Sequence, residues 1–288
     1  MDGVYAVDWC ELKIKNVASS MEGAIWWGVA SAIDQWRNNP SQDARPRKRP
    51  TDKELVECLR VRAWTGAELY EFAKEYSVNQ GAINIDRNGM RSQKHDALAI
   101  CLFREYKSVD IGDGADHVEE IARVWVRAIS EVRNIIAEYN GREGNNLYSF
   151  CMKALWYYQP EHATMWDRHA VVAMNHIIKI KRHRKNIKNE SDAVAFLRDF
   201  ENLHARWLPT ITADIADQAR LLGMTYPYTR RVLDKALWLI GKGLDKKIPK
   251  GKDKASCESV PNDFYAMLAR NSDLRVATEK KFDLTKSV

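Results

Sequence analysis

The chain has 288 residues, of which 45% are hydrophobic and 29% are charged. This composition is typical of a folded globular protein and excludes an intrinsically disordered chain. The formal net charge is +6, and the basic residues are concentrated in PRKRP (46–50), KIKRHRK (179–185) and KGKDK (250–254). Such clusters favour binding to polyanions, although solvated loops carry them as well.

Nothing in the sequence predicts a membrane protein or a metal protein. No apolar run approaches the roughly 18 residues that cross a bilayer, and the first residues lack the order of a signal peptide. We therefore expect a cytoplasmic protein. The five cysteines are scattered and show no metal-ligand spacing, so we expect reduced thiols, no metal site and no other cofactor.

Helices are predicted along most of the chain, because glycine and proline are few and alternating β-branched runs are scarce. The sequence therefore predicts an all-α fold. Thr51 and Glu54 have the spacing of a capping box. A short helix over 262–270 is expected before a frayed C-terminal end. The other predicted helices span 18–36, 54–64, 66–76, 91–106, 117–139, 147–158, 167–180, 191–207, 209–223 and 228–241.

Three consecutive regions are expected along the chain. Residues 1–110 form an N-terminal helical region with a basic loop near 37–50, which is polar and interrupted by prolines. Residues 111–245 form the helical region that carries the candidate catalytic residues. Residues 246–288 form a linker and a C-terminal extension.

A lysine and an aspartate stand out in the predicted helices at 147–158 and 167–180. Lys153 lies two turns into an otherwise apolar helix, and Asp167 lies at the expected N-cap of the next helix. On residue chemistry alone, the lysine reaches solvent along its aliphatic stem and the aspartate caps the helix. Burial would instead lower the pKa of the lysine and free a neutral amine for nucleophilic attack.

The surrounding segment YSFCMKALWYYQPEHATMWDRHA resembles a motif of the helix-hairpin-helix DNA glycosylases, the family of the 8-oxoguanine DNA glycosylases. The motif positions are filled by Ser149, Phe150, Lys153, Pro160 and Asp167. The resemblance implies an all-α helix-hairpin-helix glycosylase fold. It also implies that the lysine is a Schiff-base nucleophile and that the aspartate is the essential acidic group.

The resemblance further implies a pocket for a base flipped out of the duplex. Tyr157 lies one turn after the lysine, and Asp234 and Trp238 lie four residues apart on a late helix, as in archaeal members of the family. Packing offers an alternative for each, and Asp234 has Arg230 or Arg231 as a surface partner. Other candidate pocket or wedge residues are Phe150, Trp26, Trp27, Trp64, Trp156 and Trp166.

Phosphate contacts are expected from the turn before the lysine helix, from the helix that begins at Asp167, and from the basic loop. The candidate residues are Asn145, Asn146, Arg168, Lys179, Lys181, Arg182, Arg184, Arg47, Lys48 and Arg49. The implied partner is double-stranded DNA that contains a modified base. Neither a membrane nor an obligate protein partner is expected.

The implied activity is excision of a modified base, leaving an abasic site, with strand cleavage by a lyase step left open. Similar bacterial enzymes remove glucosylated hydroxymethylcytosine from phage DNA, an antiviral function that the basic, aromatic N-terminal region suits. Repair of 8-oxoguanine is the alternative. Two other classes stay open: a helical ribonuclease that uses Arg198 and His204, and a non-catalytic DNA-binding protein.

Overall fold

The computed structural model describes residues 20–37, 51–75, 91–107, 109, 117–140, 147–179, 183, 187–244, 268 and 271–283. These residues form helices joined by turns and irregular segments, with no strand among them, which confirms the predicted all-α class. No helix in these ranges is long and apolar enough to cross a membrane. The predicted basic loop beyond position 37 and the linker after position 245 lie outside the described residues.

Ten helices are described, and most of their bounds agree with the predicted ones to within a few residues. They are α1 Met21–Arg37, α2 Asp52–Val61, α3 Gly66–Glu75, α4 Arg91–Lys107, α5 His117–Asn140, α6 Tyr148–Tyr158, α7 Arg168–Ile177, α8 Glu190–Leu222, α9 Thr229–Leu244 and α10 Ser272–Lys281. Two predictions about the helices were wrong, at Pro209 and at the C-terminal end.

Helix α8 is continuous through Pro209, where the sequence predicts two separate helices. A proline in a helix removes one backbone hydrogen bond and crowds the preceding turn, so it commonly ends the helix. Here Pro209 is exposed, while Leu203 and Ile211 on either side of it are buried. Burial of the apolar residues on both flanks holds the helix together despite the missing hydrogen bond.

The C-terminal end contains helix α10 rather than a frayed segment. Its N-cap is Asn271, whose side chain accepts a hydrogen bond from the backbone N–H of Leu274 at 2.9 Å. Leu274 and Thr278, one turn apart, are buried. A capped first turn and a buried face are the two features that stabilise a short helix.

Helices α2 and α3 each begin with a capping box. The predicted box is confirmed: the N–H of Glu54 donates to Thr51 Oγ1 at 3.2 Å, and the N–H of Thr51 donates to Glu54 Oε2 at 2.7 Å. Thr65 and Glu68 make the same reciprocal bonds before α3, at 3.2 and 2.7 Å. The guanidinium of Arg62 also binds both oxygens of Glu68, each at 2.8 Å.

The chain divides into two compact units, and each is discontinuous in sequence. One unit, called here the Lys153 unit, comprises 36–167 and 181–203; the other, the α9 unit, comprises 1–35, 168–180 and 204–288. The three predicted regions, in contrast, are each continuous in sequence. The roles assigned to them stay predictions.

The core of the Lys153 unit is aromatic. The ring of Tyr157 meets those of Trp64 and Phe72 edge to face, with centroids 5.6 and 5.5 Å apart. Its hydroxyl donates to Asp52 Oδ1 at 2.6 Å, and the hydroxyl of Tyr106 donates to the carbonyl of Cys151 at 2.8 Å. Buried tyrosines keep such partners because an unmatched hydroxyl in a core is unfavourable.

Helix α9 packs tightly in its unit through two glycines. A Cβ at Gly28 of α1 would lie 2.6 Å from the carbonyl oxygen of Val232, and a Cβ at Gly241 would lie 1.8 Å from that of His169 on α7. Both neighbouring atoms belong to backbone and cannot rotate away. The approach of α1 and α7 to α9 therefore requires glycine at both positions.

Replacement of Gly241 by alanine should destabilise the protein by at least about 2 kcal/mol, because overpacking against backbone forces helices apart. Gly243→Ala is the matched control, since it lies in the same helix and its Cβ would meet nothing within 4 Å. Removing a helical glycine there should be neutral or stabilising by at most about 1 kcal/mol. Chemical denaturation measures both, and equal stabilities would contradict the α7–α9 packing.

Replacement of Glu68 by glutamine should lower stability at pH 7 but not near pH 2. Hydrogen bonds from Arg62 lower the pKa of Glu68 from 4.5 to about 2. A carboxyl with a lower pKa in the folded state contributes stability that is complete above the unfolded pKa and is lost as pH falls towards 2.

We expect Glu68→Gln to cost about 1–2 kcal/mol at pH 7, because one pKa unit corresponds to about 1.4 kcal/mol and partial exposure weakens the pair. The control is Glu57→Gln, an exposed residue with a single 3.8 Å contact to Lys53. Urea denaturation at several pH values gives the comparison. A Glu68→Gln penalty that persists at pH 2 would show that the effect is not ionic.

Candidate active site

The structure brings Lys153 and Asp167 together within the Lys153 unit. The Nζ atom of Lys153 lies 3.9 Å from Oδ2 of Asp167, and their side chains are only 12% and 15% exposed. This separation is an ion-pair contact and is longer than a direct hydrogen bond. The two candidate catalytic groups are therefore adjacent, largely shielded from water, and not locked to each other by a hydrogen bond between these two atoms.

Lys153 carries a basic side chain in the middle of a mostly buried helix. Seven of the eleven residues of α6 are buried, from Phe150 to Tyr157 with Lys153 as the interruption. A cation in such surroundings is costly unless an anion compensates it. Asp167 supplies that anion.

Asp167 reaches Lys153 because the chain turns back after α6. The N–H of Ala163 donates to the carbonyl of Gln159 at 2.8 Å, which closes the turn at Pro160. The irregular segment that follows, 163–166, is buried at every residue. Asp167 ends this segment and directly precedes α7, so a buried stretch of chain carries its carboxylate.

Trp166, next to Asp167, is 4% exposed and lies in a cluster of three aromatic rings. Its ring centroid is 5.9 Å from that of Tyr148 on α6 and 5.8 Å from that of Trp125 on α5. The indole N–H of Trp125 donates to the carbonyl of Tyr148 at 3.0 Å. Trp166, Tyr148 and Trp125 are called the Trp166 cluster below.

The other aromatic candidates on or near α6 lie in the core. Tyr157 is 1% exposed and its hydroxyl is bonded to Asp52, while Phe150 is buried against Phe72 with centroids 5.9 Å apart. Trp64 and Trp156 are buried beside Tyr157. These contacts are those of packing, and a role in binding a base stays a prediction for each of them.

Four more pocket candidates lie in the α9 unit. Trp27 and Trp238 stack with centroids 6.1 Å apart and planes 17° apart, and the ammonium of Lys242 lies 5.0 Å from the centre of the Trp238 ring. Trp26 is buried, and its indole N–H donates to Thr278 Oγ1 at 2.8 Å. The structure thus brings two predicted pocket residues, Trp27 and Trp238, into one stack.

Asp234, the fourth of these candidates, forms an ion pair with Arg231 at 2.5 Å, and both side chains are 5% exposed. The sequence predicted Arg230 or Arg231 as a surface partner of Asp234, whereas the pair with Arg231 is buried. Arg231 also donates to Gln35 Oε1 at 3.1 Å, and Lys235 donates to the same oxygen at 2.6 Å. Asp234 therefore belongs to a buried polar network between α1 and α9.

Of the predicted phosphate contacts, Arg168 and Lys179 are described, and both are exposed. Lys179 has φ 56° just after the end of α7, a left-handed conformation that commonly ends helices. The remaining candidates lie outside the described residues: Asn145, Asn146, Lys181, Arg182, Arg184, Arg47, Lys48 and Arg49.

The residues of the ribonuclease alternative each have a structural partner. Arg198 donates to Glu119 at 2.6 Å, and His204 lies 2.9 Å from Thr229 Oγ1. Among the described residues, no group of three or more His, Cys, Asp and Glu side chains is arranged to hold a metal ion. Cys58, Cys101 and Cys151 form no disulfide.

Sequence reasoning missed three residues that support the candidate site. In the sequence, Asp52 belongs to the start of a predicted helix. No local pattern indicates that it accepts a hydrogen bond from Tyr157, 105 positions away. Trp125 and Tyr148 are ordinary aromatic residues at helical spacing, and only the fold places them around Trp166. Apolar periodicity identifies the buried face of α5, but not the residue that it meets.

A scan of the chain against models of protein families gave no match, and neither did searches of curated proteins and of solved structures.

Proposed function

We propose that the protein is a DNA glycosylase of the helix-hairpin-helix class that uses Lys153 as nucleophile and Asp167 as its acidic partner. The observation that carries the proposal is the shielded Lys153–Asp167 pair at 3.9 Å. A non-catalytic helical protein would be favoured by an exposed Lys153 or by a distant Asp167. The observed burial and proximity favour catalysis instead.

The first step requires a neutral amine. The ammonium of Lys153 transfers a proton to the Asp167 carboxylate after the two groups close by about 1 Å to hydrogen-bond distance. The freed electron pair on Nζ then attacks the anomeric carbon of the flipped nucleotide. The bond between that carbon and the base breaks, and the base leaves with the bonding electrons and takes up a proton.

In the alternative role, Lys153 meets the sugar as a neutral amine without Asp167 taking its proton, and Asp167 stays ionised and stabilises the charge that develops during this substitution. The sugar becomes positively charged as the base departs, and a fixed carboxylate nearby lowers the energy of that state. The effect is strongest where water is excluded and the local dielectric is low. The shielded position of the carboxylate, 15% exposed, fits this role.

A proton then passes from Nζ of the covalent adduct to the ring oxygen of the sugar. The bond between that oxygen and the anomeric carbon breaks, and the nitrogen electron pair forms a protonated imine between Lys153 and the opened sugar. Water hydrolyses the imine, which restores the amine and leaves an abasic site. Elimination of the 3′ phosphate from the imine is the competing route and would cut the strand. Both routes pass through an intermediate that borohydride reduces to a stable amine.

Double-stranded DNA with a modified base is the proposed partner. The net charge of +6 favours a polyanion, and Arg168 and Lys179 are exposed cations of the kind that contact phosphates. Within this class we favour glucosylated hydroxymethylcytosine of phage DNA over 8-oxoguanine, because the basic and aromatic N-terminal region suits a bulky base.

Lys153→Ala should abolish borohydride trapping of the protein on modified DNA and slow base release at least about 100-fold, because it removes the nucleophile. Lys53→Ala, a change at an exposed lysine on α2, is the control and should trap as wild type does. The assay compares glucosylated phage DNA, its unglucosylated form and an 8-oxoguanine duplex. If wild type releases no base and forms no trapped complex on any of them, the proposal fails.

Asp167→Asn should slow base release by about 100-fold or more and leave DNA binding intact. The amide keeps the shape and a hydrogen-bond acceptor for the helix that follows, but it accepts no proton and carries no charge. Asp217→Asn, a change at a residue of α8 whose side chain is 50% exposed and pairs with Arg220, is the matched control. Single-turnover base release and fluorescence anisotropy separate the two effects; unchanged release in Asp167→Asn would limit Asp167 to capping.

A further inference from the structure

The position of the Asp167 carboxylate depends on a segment that has no regular secondary structure. Residues 163–166 are buried, but no helical hydrogen bonding fixes the backbone just before Asp167. Side-chain packing must therefore supply the rigidity that a helix would otherwise give. The residue best placed to do so is Trp166, because it directly precedes Asp167.

Trp166 connects this segment to the helix that carries Lys153. Its ring packs against Tyr148, which lies five residues before Lys153 on α6, and against Trp125 on α5. The hydrogen bond from Trp125 to the Tyr148 carbonyl joins those two helices at the same point. The Trp166 cluster therefore connects the backbone next to Asp167 to α6 and α5 through direct ring contacts.

A tryptophan at this position has a cost as well as a gain. The indole N–H of Trp166 is buried and has no acceptor among the residues that the structure describes. A buried donor without a partner costs roughly 1–3 kcal/mol, and phenylalanine would avoid that cost. What tryptophan adds is a wide, rigid ring that reaches Tyr148 and Trp125 together.

A small displacement of the Asp167 carboxylate would have a large effect on the rate of a reaction that uses it. The Lys153–Asp167 distance of 3.9 Å already lies at the outer limit of an ion pair. A shift of about 1 Å in a catalytic group commonly costs a hundredfold in rate. Loss of the ring beside Asp167 allows such a shift without removing the carboxylate itself.

We propose that Trp166 is a positioning residue, which holds the Asp167 carboxylate within ion-pair distance of Lys153 by packing between Tyr148 and Trp125. Its effect on catalysis rests on the glycosylase function proposed above. Its effect on the ion pair does not, because the contact between the two charges exists without substrate. The two effects are therefore measured separately.

The first measurement is the pKa of Lys153 in the free protein, from the Cε resonance of ¹³C-labelled lysine, assigned with Lys153→Arg. A carboxylate within about 4–6 Å favours the ammonium, so Asp167→Asn should lower this pKa by roughly one unit or more. Trp166→Leu should lower it in the same direction and to a similar extent. Trp166→Phe, which keeps a smaller aromatic ring, should lower it less than Trp166→Leu does.

A residue that only fills space would lower the melting temperature and leave the pKa of Lys153 unchanged. A folded Trp166→Leu variant with the wild-type pKa therefore overturns the proposal. If that variant does not fold, Tyr148→Leu removes one ring from the partly exposed side of the cluster. Tyr148→Leu should lower the pKa of Lys153 by a smaller amount than Trp166→Leu. An unchanged pKa of Lys153 in Tyr148→Leu would also overturn the proposal.

The second measurement is single-turnover base release on the substrate that wild type cleaves. Trp166→Leu should lose most of the rate that Asp167→Asn loses, with unchanged DNA affinity, and Trp166→Phe should keep more of that rate than Trp166→Leu. If wild type releases no base, the glycosylase function fails while the pKa comparison still decides the positioning role. If wild type is active and folded Trp166→Leu is equally active, the positioning role fails alone.

Discussion

A cation on a buried helix needs an anion beside it. In the Lys153 unit, the turn after α6 and the buried segment that follows it supply that anion. Helix α6 is apolar nearly throughout, so the ammonium of Lys153 is the one charge that it carries inward. Water does not compensate this charge, because the side chain is largely shielded. The turn at Pro160 and the buried segment after it bring the Asp167 carboxylate to the place where compensation is needed.

The protein contains a second shielded pair, and comparison of the two is informative. Arg231 and Asp234 lie one turn apart on α9 and meet at 2.5 Å, and Arg231 also donates to Gln35 of α1. A guanidinium held in this way stays charged at any ordinary pH. Lys153 and Asp167 come from different elements and stay 3.9 Å apart, and a lysine can release its proton. The first pair lies within one helix, and the second joins two different elements at ion-pair distance.

The helices were largely predictable because apolar periodicity and capping residues are local signals. Thr51 and Glu54 identified a helix start that the structure confirms. The break predicted near Pro209 was wrong, because propensity at one residue is weaker than burial of the flanks on either side. The C-terminal helix was overlooked, although Asn271 has the residue type and position of an N-cap.

The sequence predicted the two central residues of the candidate site but not the neighbours that pack around them. A lysine among apolar residues and an aspartate before a helix are visible in the sequence, and the structure places the two charged groups 3.9 Å apart. Their neighbours are not visible. The bond from Tyr157 to Asp52 and the contacts of Trp166 join residues far apart in the chain, and no local pattern encodes which side chain a buried ring will meet.

The closeness of α9 to its neighbours has a consequence for recognising relatives of this protein. Most core positions accept several apolar residues of similar volume, so their identity drifts over evolutionary time. Positions 28 and 241 have no such freedom, because a backbone carbonyl occupies the space of a Cβ at each of them. A distant relative with the same packing should therefore keep both glycines, even where the surrounding sequence has diverged beyond alignment.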